Sequence, residues 1–93
     1  MSTADGYSSL EFTQGFLADF ASRDFTAADR AAFLRALVQL DSAERHPSLR
    51  VHQLQGAAAG TWSASASSSL RITLERLPDG RERLIAASKH YER

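Results

Sequence analysis

Apolar and polar residues alternate strictly over two stretches, Trp62-Ser63-Ala64-Ser65-Ala66-Ser67 and Leu70-Arg71-Ile72-Thr73-Leu74-Glu75. A period of two is that of a strand with one buried face. Trp62, Ala64 and Ala66 share one face, and Leu70, Ile72 and Leu74 form the matching face of the next run. Ser63, Ser65, Arg71 and Thr73 fall on the other side. Upstream, Leu49 and Val51 alternate with Arg50 and His52. The pattern predicts strands at 49–54, 61–67 and 70–76 that share an apolar face. Arg50, His52, Arg71 and a row of hydroxyls gather on the opposite face, where function is expected.

The period changes toward the N-terminus. Thr13 is placed to cap a helix carrying Phe16, Leu17 and Phe20, although Gly15 weakens it. Arg23-Asp24-Phe25 is a connection. Thr26 to Asp29 has the form of a capping box, with Asp in the usual Glu position. It opens a second helix bearing Ala28, Ala32, Phe33, Leu37, Val38 and Leu40. That helix should end by about Arg45, because Pro47 disfavours a helical His46. Residues 7–12 suggest a short edge strand and residues 1–6 a flexible tail. Gly56 to Gly60 is a loop without large side chains, Ser67-Ser68-Ser69 a tight polar turn, and Leu77-Pro78-Asp79-Gly80 a strong turn signal. The last strand is expected at 83–88, where small Ala86 and Ala87 suggest a central position packed on both sides. The reading is one α+β domain over residues 1–93, with two N-terminal helices on one face of a mainly antiparallel four-stranded sheet.

Composition narrows the classes. At 93 residues and 43% hydrophobic content the chain suits one small globular domain. No apolar run approaches the roughly 20 residues of a membrane helix, and the first residues lack the basic and apolar regions of a signal peptide. The absence of cysteine removes disulfides and thiolate zinc sites and is compatible with the cytoplasm. Net charge is zero but unevenly spread. Residues 1–44 hold three basic residues against seven acidic ones, net −4, and residues 45–93 hold eight against four, net +4. Such an asymmetry suits a polyanion partner for the second half, or simply acidic helices and basic strands.

Candidate chemistry is sparse. There is no Gly-rich phosphate loop, and His46, His52 and His90 show no metal-ligand spacing. His46, just before Pro47, reads as a loop or cap residue. Histidine shuttles protons near neutral pH, tyrosine donates a proton or stacks on a base, and arginine stabilises charge on a phosphate oxygen. His52, His90, Tyr91 and Arg71 therefore include the residue types that metal-free RNA cleavage requires. The alternative is a solvated strand face and a polar tail.

The segments His46-Pro47-Ser48-Leu49-Arg50-Val51-His52-Gln53-Leu54-Gln55-Gly56, Gly60-Thr61-Trp62-Ser63-Ala64 and Leu70-Arg71-Ile72 resemble the core of the RelE/ParE toxin superfamily of bacterial toxin–antitoxin systems. The ending Lys89-His90-Tyr91 looks most like its YoeB type. The resemblance spans roughly residues 10–91 and implies a ribosome-dependent mRNA endoribonuclease. The superfamily also contains gyrase poisons, so a ParE-like gyrase inhibitor without nuclease activity is the rival implication. If the nuclease chemistry carries over, Arg71 holds the scissile phosphate, His90 is an acid or base, Tyr91 orients the nucleotide and His52 is a second base candidate. Arg50, Gln55 and Lys89 would contact RNA. Gln53 and Gln55 replace two lysines of the family pattern, which implies weaker, less salt-dependent phosphate binding. The resemblance further implies no cofactor or metal, no membrane partner, a cognate antitoxin, and assembly as a homodimer or a toxin–antitoxin hetero-oligomer in the cytoplasm.

Overall fold

A computed structural model describes residues 7–42, 47–54 and 60–89. The predicted tail at 1–6, His46, Gln55, most of the 56–60 loop, His90 and Tyr91 lie outside the described residues, whereas the second helix ends at Asp41, with Ser42 as its C-cap, inside the expected limit of about Arg45.

Among the described residues, five strands and two α-helices follow in the order β1 (Leu10–Phe12), α1 (Gln14–Phe20), α2 (Ala27–Asp41), β2 (His52–Gln53), β3 (Thr61–Ser65), β4 (Leu70–Arg76) and β5 (Glu82–Lys89). They form one sheet in the order β1-β5-β4-β3-β2. The fold is α+β, as expected, but the sheet has five strands rather than four. The extra one is the short edge strand suggested at 7–12. It pairs in parallel with β5, Leu10 opposite Glu82 and Phe12 opposite Leu84, so the sheet is mixed. All other pairings are antiparallel.

β4 follows its sequence pattern most closely. Leu70, Ile72 and Leu74 are buried, whereas Arg71, Thr73 and Glu75 on the opposite face are only half-buried. β3 is aligned with it, Ala64 opposite Ile72 and Trp62 opposite Leu74. β3 ends at Ser65, short of the predicted 67. The Ser67 hydroxyl accepts the N–H groups of Ser69 and Leu70 at 3.3 and 3.2 Å, and this local bond turns the chain before the ladder can continue. The strand predicted at 49–54 shrinks further. Pro47–Leu49 forms a 3-10 turn, closed by the Arg50 N–H donating to the Pro47 carbonyl at 3.1 Å. Arg50 then takes a φ of 47°, so regular pairing begins only at His52. The fixed φ of proline suits such a turn, and the turn drives Leu49 completely into the core.

β5 carries a bulge. Thr73 lies opposite Ala86 but Leu74 lies opposite Leu84, which leaves Ile85 as the extra residue. The bulge changes the parity of the strand, so that Leu84 and Ala87 are both buried. The central position inferred from Ala86 and Ala87 holds: β5 lies between β1 and β4.

Both helices pack on the Leu70–Leu74 face. Phe16, Phe33, Ala36, Leu37 and Leu40 join Ala64, Leu70, Ile72, Leu74 and Leu84 in one core. The Thr13 hydroxyl caps α1 and also donates to the Leu84 carbonyl at 2.9 Å. Gly15 permits this approach, since a Cβ there would stand 3.3 Å from the Ile85 carbonyl oxygen. The capping box at Thr26 is present, with Asp29 accepting from the Thr26 N–H at 3.0 Å. Leu17, Ala28 and Val38, expected on the apolar faces, are instead exposed. α2 carries two apolar stripes, and the sheet covers the one containing Ala32, Phe33, Ala36, Leu37 and Leu40.

Candidate functional site

The face of the sheet turned away from the helices is built row by row from the strand register. His52 lies opposite Ser63, Ser63 opposite Thr73, and Thr73 opposite Ala86. In the next row Arg71 sits between Ser65 and Ser88. Toward the other end Glu75 lies between Thr61 and Arg83, with Glu11 beside Arg83. Arg71 and His52 thus share a hydroxyl-rich surface, as the alternation predicted. Ser88 belongs to it through the register alone, since no sequence pattern marks it out.

The described cations of the second half do not form one continuous field. Arg83 donates to Glu11 at 2.9 Å and to Glu75 at 3.3 Å, and Arg81 donates to Glu11 at 3.3 Å. The Arg83 guanidinium holds the Glu11 carboxyl below its usual range, and Glu11 in turn raises Arg83. Arg76 lies 3.9 Å over the Trp62 ring and 3.6 Å from Glu82. The Lys89 ammonium meets Asp29 at 3.0 Å, and Lys89 shares the helix-side register of Leu70. Among the described residues of this half, Arg50 and Arg71 are the cations without a carboxylate in ion-pair range.

Arg71 is oriented by neutral groups instead. Its Nη1 donates to the carbonyls of Ser67, Leu70 and Ser68 at 3.0, 3.2 and 3.3 Å. Carbonyls fix a guanidinium without cancelling its charge, whereas a carboxylate does both. His52 is exposed, and its Nδ1 lies 2.9 Å from the Arg50 carbonyl oxygen. A carbonyl only accepts, so the bond needs the proton on Nδ1 and leaves Nε2 as the basic nitrogen of the neutral ring. Arg50, exposed at its left-handed turn, supplies that carbonyl. β5 ends at Lys89, which pairs with Leu70, the residue before Arg71. Among the described residues no group of three or more His, Asp or Glu side chains is placed to hold a metal, and no helix is long and apolar enough to cross a membrane.

Neither a protein-family model nor a curated protein matches the sequence. Solved structures do match the fold. A chain of the RelBE2 toxin–antitoxin complex from Mycobacterium tuberculosis superposes with a TM-score of 0.70 at 18% identity, covering 88% of this chain and 96% of that one. The fold is that of RelE-like toxins. YafQ from Escherichia coli matches the RelE-like fold with a TM-score of 0.63 at 17% identity, covering 86% and 90%. A YoeB/ParE toxin from Agrobacterium tumefaciens gives 0.63 at 22%, covering 90% and 100%.

The carboxylates of the RelE-like scaffold set its acid limit. Thr26 and Lys89 lower Asp29, and the Ser9 hydroxyl and N–H lower Asp41, as Arg83 lowers Glu11. A native value below the unfolded one stabilises the fold above the ordinary carboxylate range, about pH 4, and this contribution is lost as pH falls through the native values. The urea midpoint is expected to be flat between about pH 6 and 8 and to fall steadily below about pH 4.5. A midpoint that rises on acidification would contradict these pairings.

Proposed function

We propose that the chain is the toxin of a type II toxin–antitoxin system and cleaves mRNA on the ribosome. The carrying observation is Arg71, uncompensated by any described carboxylate, held by carbonyls on a hydroxyl-lined face. In the proposed reaction the RNA 2′-oxygen attacks the adjacent phosphorus while a base takes its proton. The bond from phosphorus to the 5′-oxygen breaks, an acid protonates that oxygen, and a 2′,3′-cyclic phosphate and a 5′-hydroxyl remain. Arg71 neutralises the charge on the non-bridging oxygens. His90 and His52 are the acid and base candidates, and Tyr91 stacks on or orients the nucleotide. Arg50 and Gln55 are proposed phosphate contacts. Lys89, expected among the RNA contacts, is instead tied to Asp29 on the helix side of the sheet, away from Arg71.

A cognate antitoxin, carrying an acidic or amphipathic helix, is the proposed partner in the cytoplasm. RelBE2 and the DinJ–YafQ pair were both solved as toxin–antitoxin complexes. A second reading, ParE-like inhibition of gyrase, is favoured by the exposed apolar Leu17, Leu34 and Val38 on the helices. Mapping mRNA ends by primer extension after brief induction separates the two. A nuclease gives discrete cuts in translated messages, and His90→Ala and Tyr91→Phe remove both the cuts and the toxicity. Toxicity that survives both changes without any cuts would overturn the nuclease reading and favour gyrase.

A further inference from the structure

Arg71 is held by a turn that another residue builds. The turn between β3 and β4 is closed by the Ala66 N–H donating to the Leu70 carbonyl at 2.8 Å. Inside it, the Ser67 hydroxyl oxygen accepts from the N–H groups of Ser69 and Leu70. The first bond fixes the Ser68–Ser69 peptide plane, whose Ser68 carbonyl receives Arg71 Nη1 at 3.3 Å, and the two together hold the tight turn in which the Ser67 carbonyl receives it at 3.0 Å. All of the guanidinium's hydrogen bonds to described residues leave from Nη1. The Nε–H and Nη2–H pair stays open, and these two donors form a parallel fork that fits two oxygens of one phosphate. An arginine left free on an exposed strand would sample many rotamers before presenting that fork.

We infer that Ser67 is a positioning residue, whose hydroxyl shapes a carbonyl clamp that commits the Nε/Nη2 edge of Arg71 to a single phosphate. The inference rests on the nuclease reading for its catalytic consequence, but not for its geometry. Ser67 touches no substrate in this scheme. It acts through the turn, and any side chain that supplies an acceptor at the same place should replace it.

The test compares Ser67→Ala with Ser67→Asn, which keeps a side-chain acceptor for the same turn. In ¹⁵N-arginine NMR spectra, with Arg71→Lys used for assignment, wild type and Ser67→Asn should show hindered Arg71 Nη rotation. Ser67→Ala should show averaged signals. In single-turnover cleavage of ribosome-bound mRNA, Ser67→Ala should lower the rate at saturation about tenfold with KM within about twofold, and Ser67→Asn should restore most of it. Should the alanine variant fail to fold, Ser67→Gly makes the same comparison. Unchanged Arg71 signals in Ser67→Ala would overturn the clamp, as would a rate that Ser67→Asn cannot rescue. If wild type cleaves no RNA, the nuclease reading fails and the spectra alone decide the clamp.

Discussion

Replacing Arg71 with alanine is expected to lower mRNA cleavage by about two to three orders of magnitude, the usual cost of removing one donor aimed at a developing oxyanion. The loss should appear in the rate at saturation, since the interaction strengthens as charge builds on the phosphate. Stability should change little. Arg71 contributes no ion pair within the described residues, and its hydrogen bonds run to carbonyls of its own half-exposed hairpin. The melting temperature is therefore expected to stay within a few degrees of wild type, for a change below about 1 kcal/mol. Arg71→Lys is the sharper control, because lysine keeps the charge but loses the fork, so only partial recovery is expected. Arg83→Ala serves as the opposite case. It removes a cation already tied to Glu11 and Glu75, so cleavage should fall far less. Equal losses from Arg71→Ala and Arg83→Ala would mean that bulk charge acts on this face, not one oriented guanidinium.

The largest loss of stability is expected from Phe33→Ala. Phe33 has no exposed surface. Its ring meets Phe25 edge-on at 5.0 Å and Phe20 at 6.3 Å, so it ties α2 both to α1 and to the connection between them. Truncating a buried phenylalanine removes its transfer free energy and leaves a cavity, together about 3–5 kcal/mol. A domain of this size has only about 5–15 kcal/mol in total. The urea midpoint should drop accordingly, with an unchanged slope if unfolding stays two-state. Leu34→Ala, one residue away on the exposed stripe, should cost less than about 1 kcal/mol. A Phe33→Ala loss below about 1 kcal/mol would place the core elsewhere.

Those two neighbours show where sequence is informative and where it is silent. On β4, strict alternation separates Leu70, Ile72 and Leu74 from Arg71 and Thr73, because only one face of that strand meets the helices. The box at Thr26–Asp29 and the turn at Leu77–Gly80 are equally legible, since each rests on bonds between residues close in the chain. On α2 apolar residues run around most of the helix, so Leu37 and Val38 look alike until the sheet buries one and leaves the other 61% exposed. The apolar run Leu84-Ile85-Ala86-Ala87 conceals the bulge, because both parities offer an apolar residue. The site was half legible. Alternation alone puts Arg71 and His52 on the outward face. The pairing of Arg81 and Arg83 with Glu11 depends on β1 meeting β5, which no local pattern encodes. Ser67 looks like an ordinary turn serine until Arg71 folds back onto its carbonyl.

The parallel pairing of β1 with β5 bears on how the molecule assembles. Thr13 finds its Leu84 partner 71 positions later in the chain, so β1 has no neighbour until nearly everything between has been made and gathered in. Contacts of such long span are slow to form, because the closure entropy of the intervening loop comes first. On a translating ribosome, the outward face bearing Arg71 would gain its last flanking strand only as synthesis passes β5. The surface proposed to meet RNA is thus the last part of the sheet to be completed.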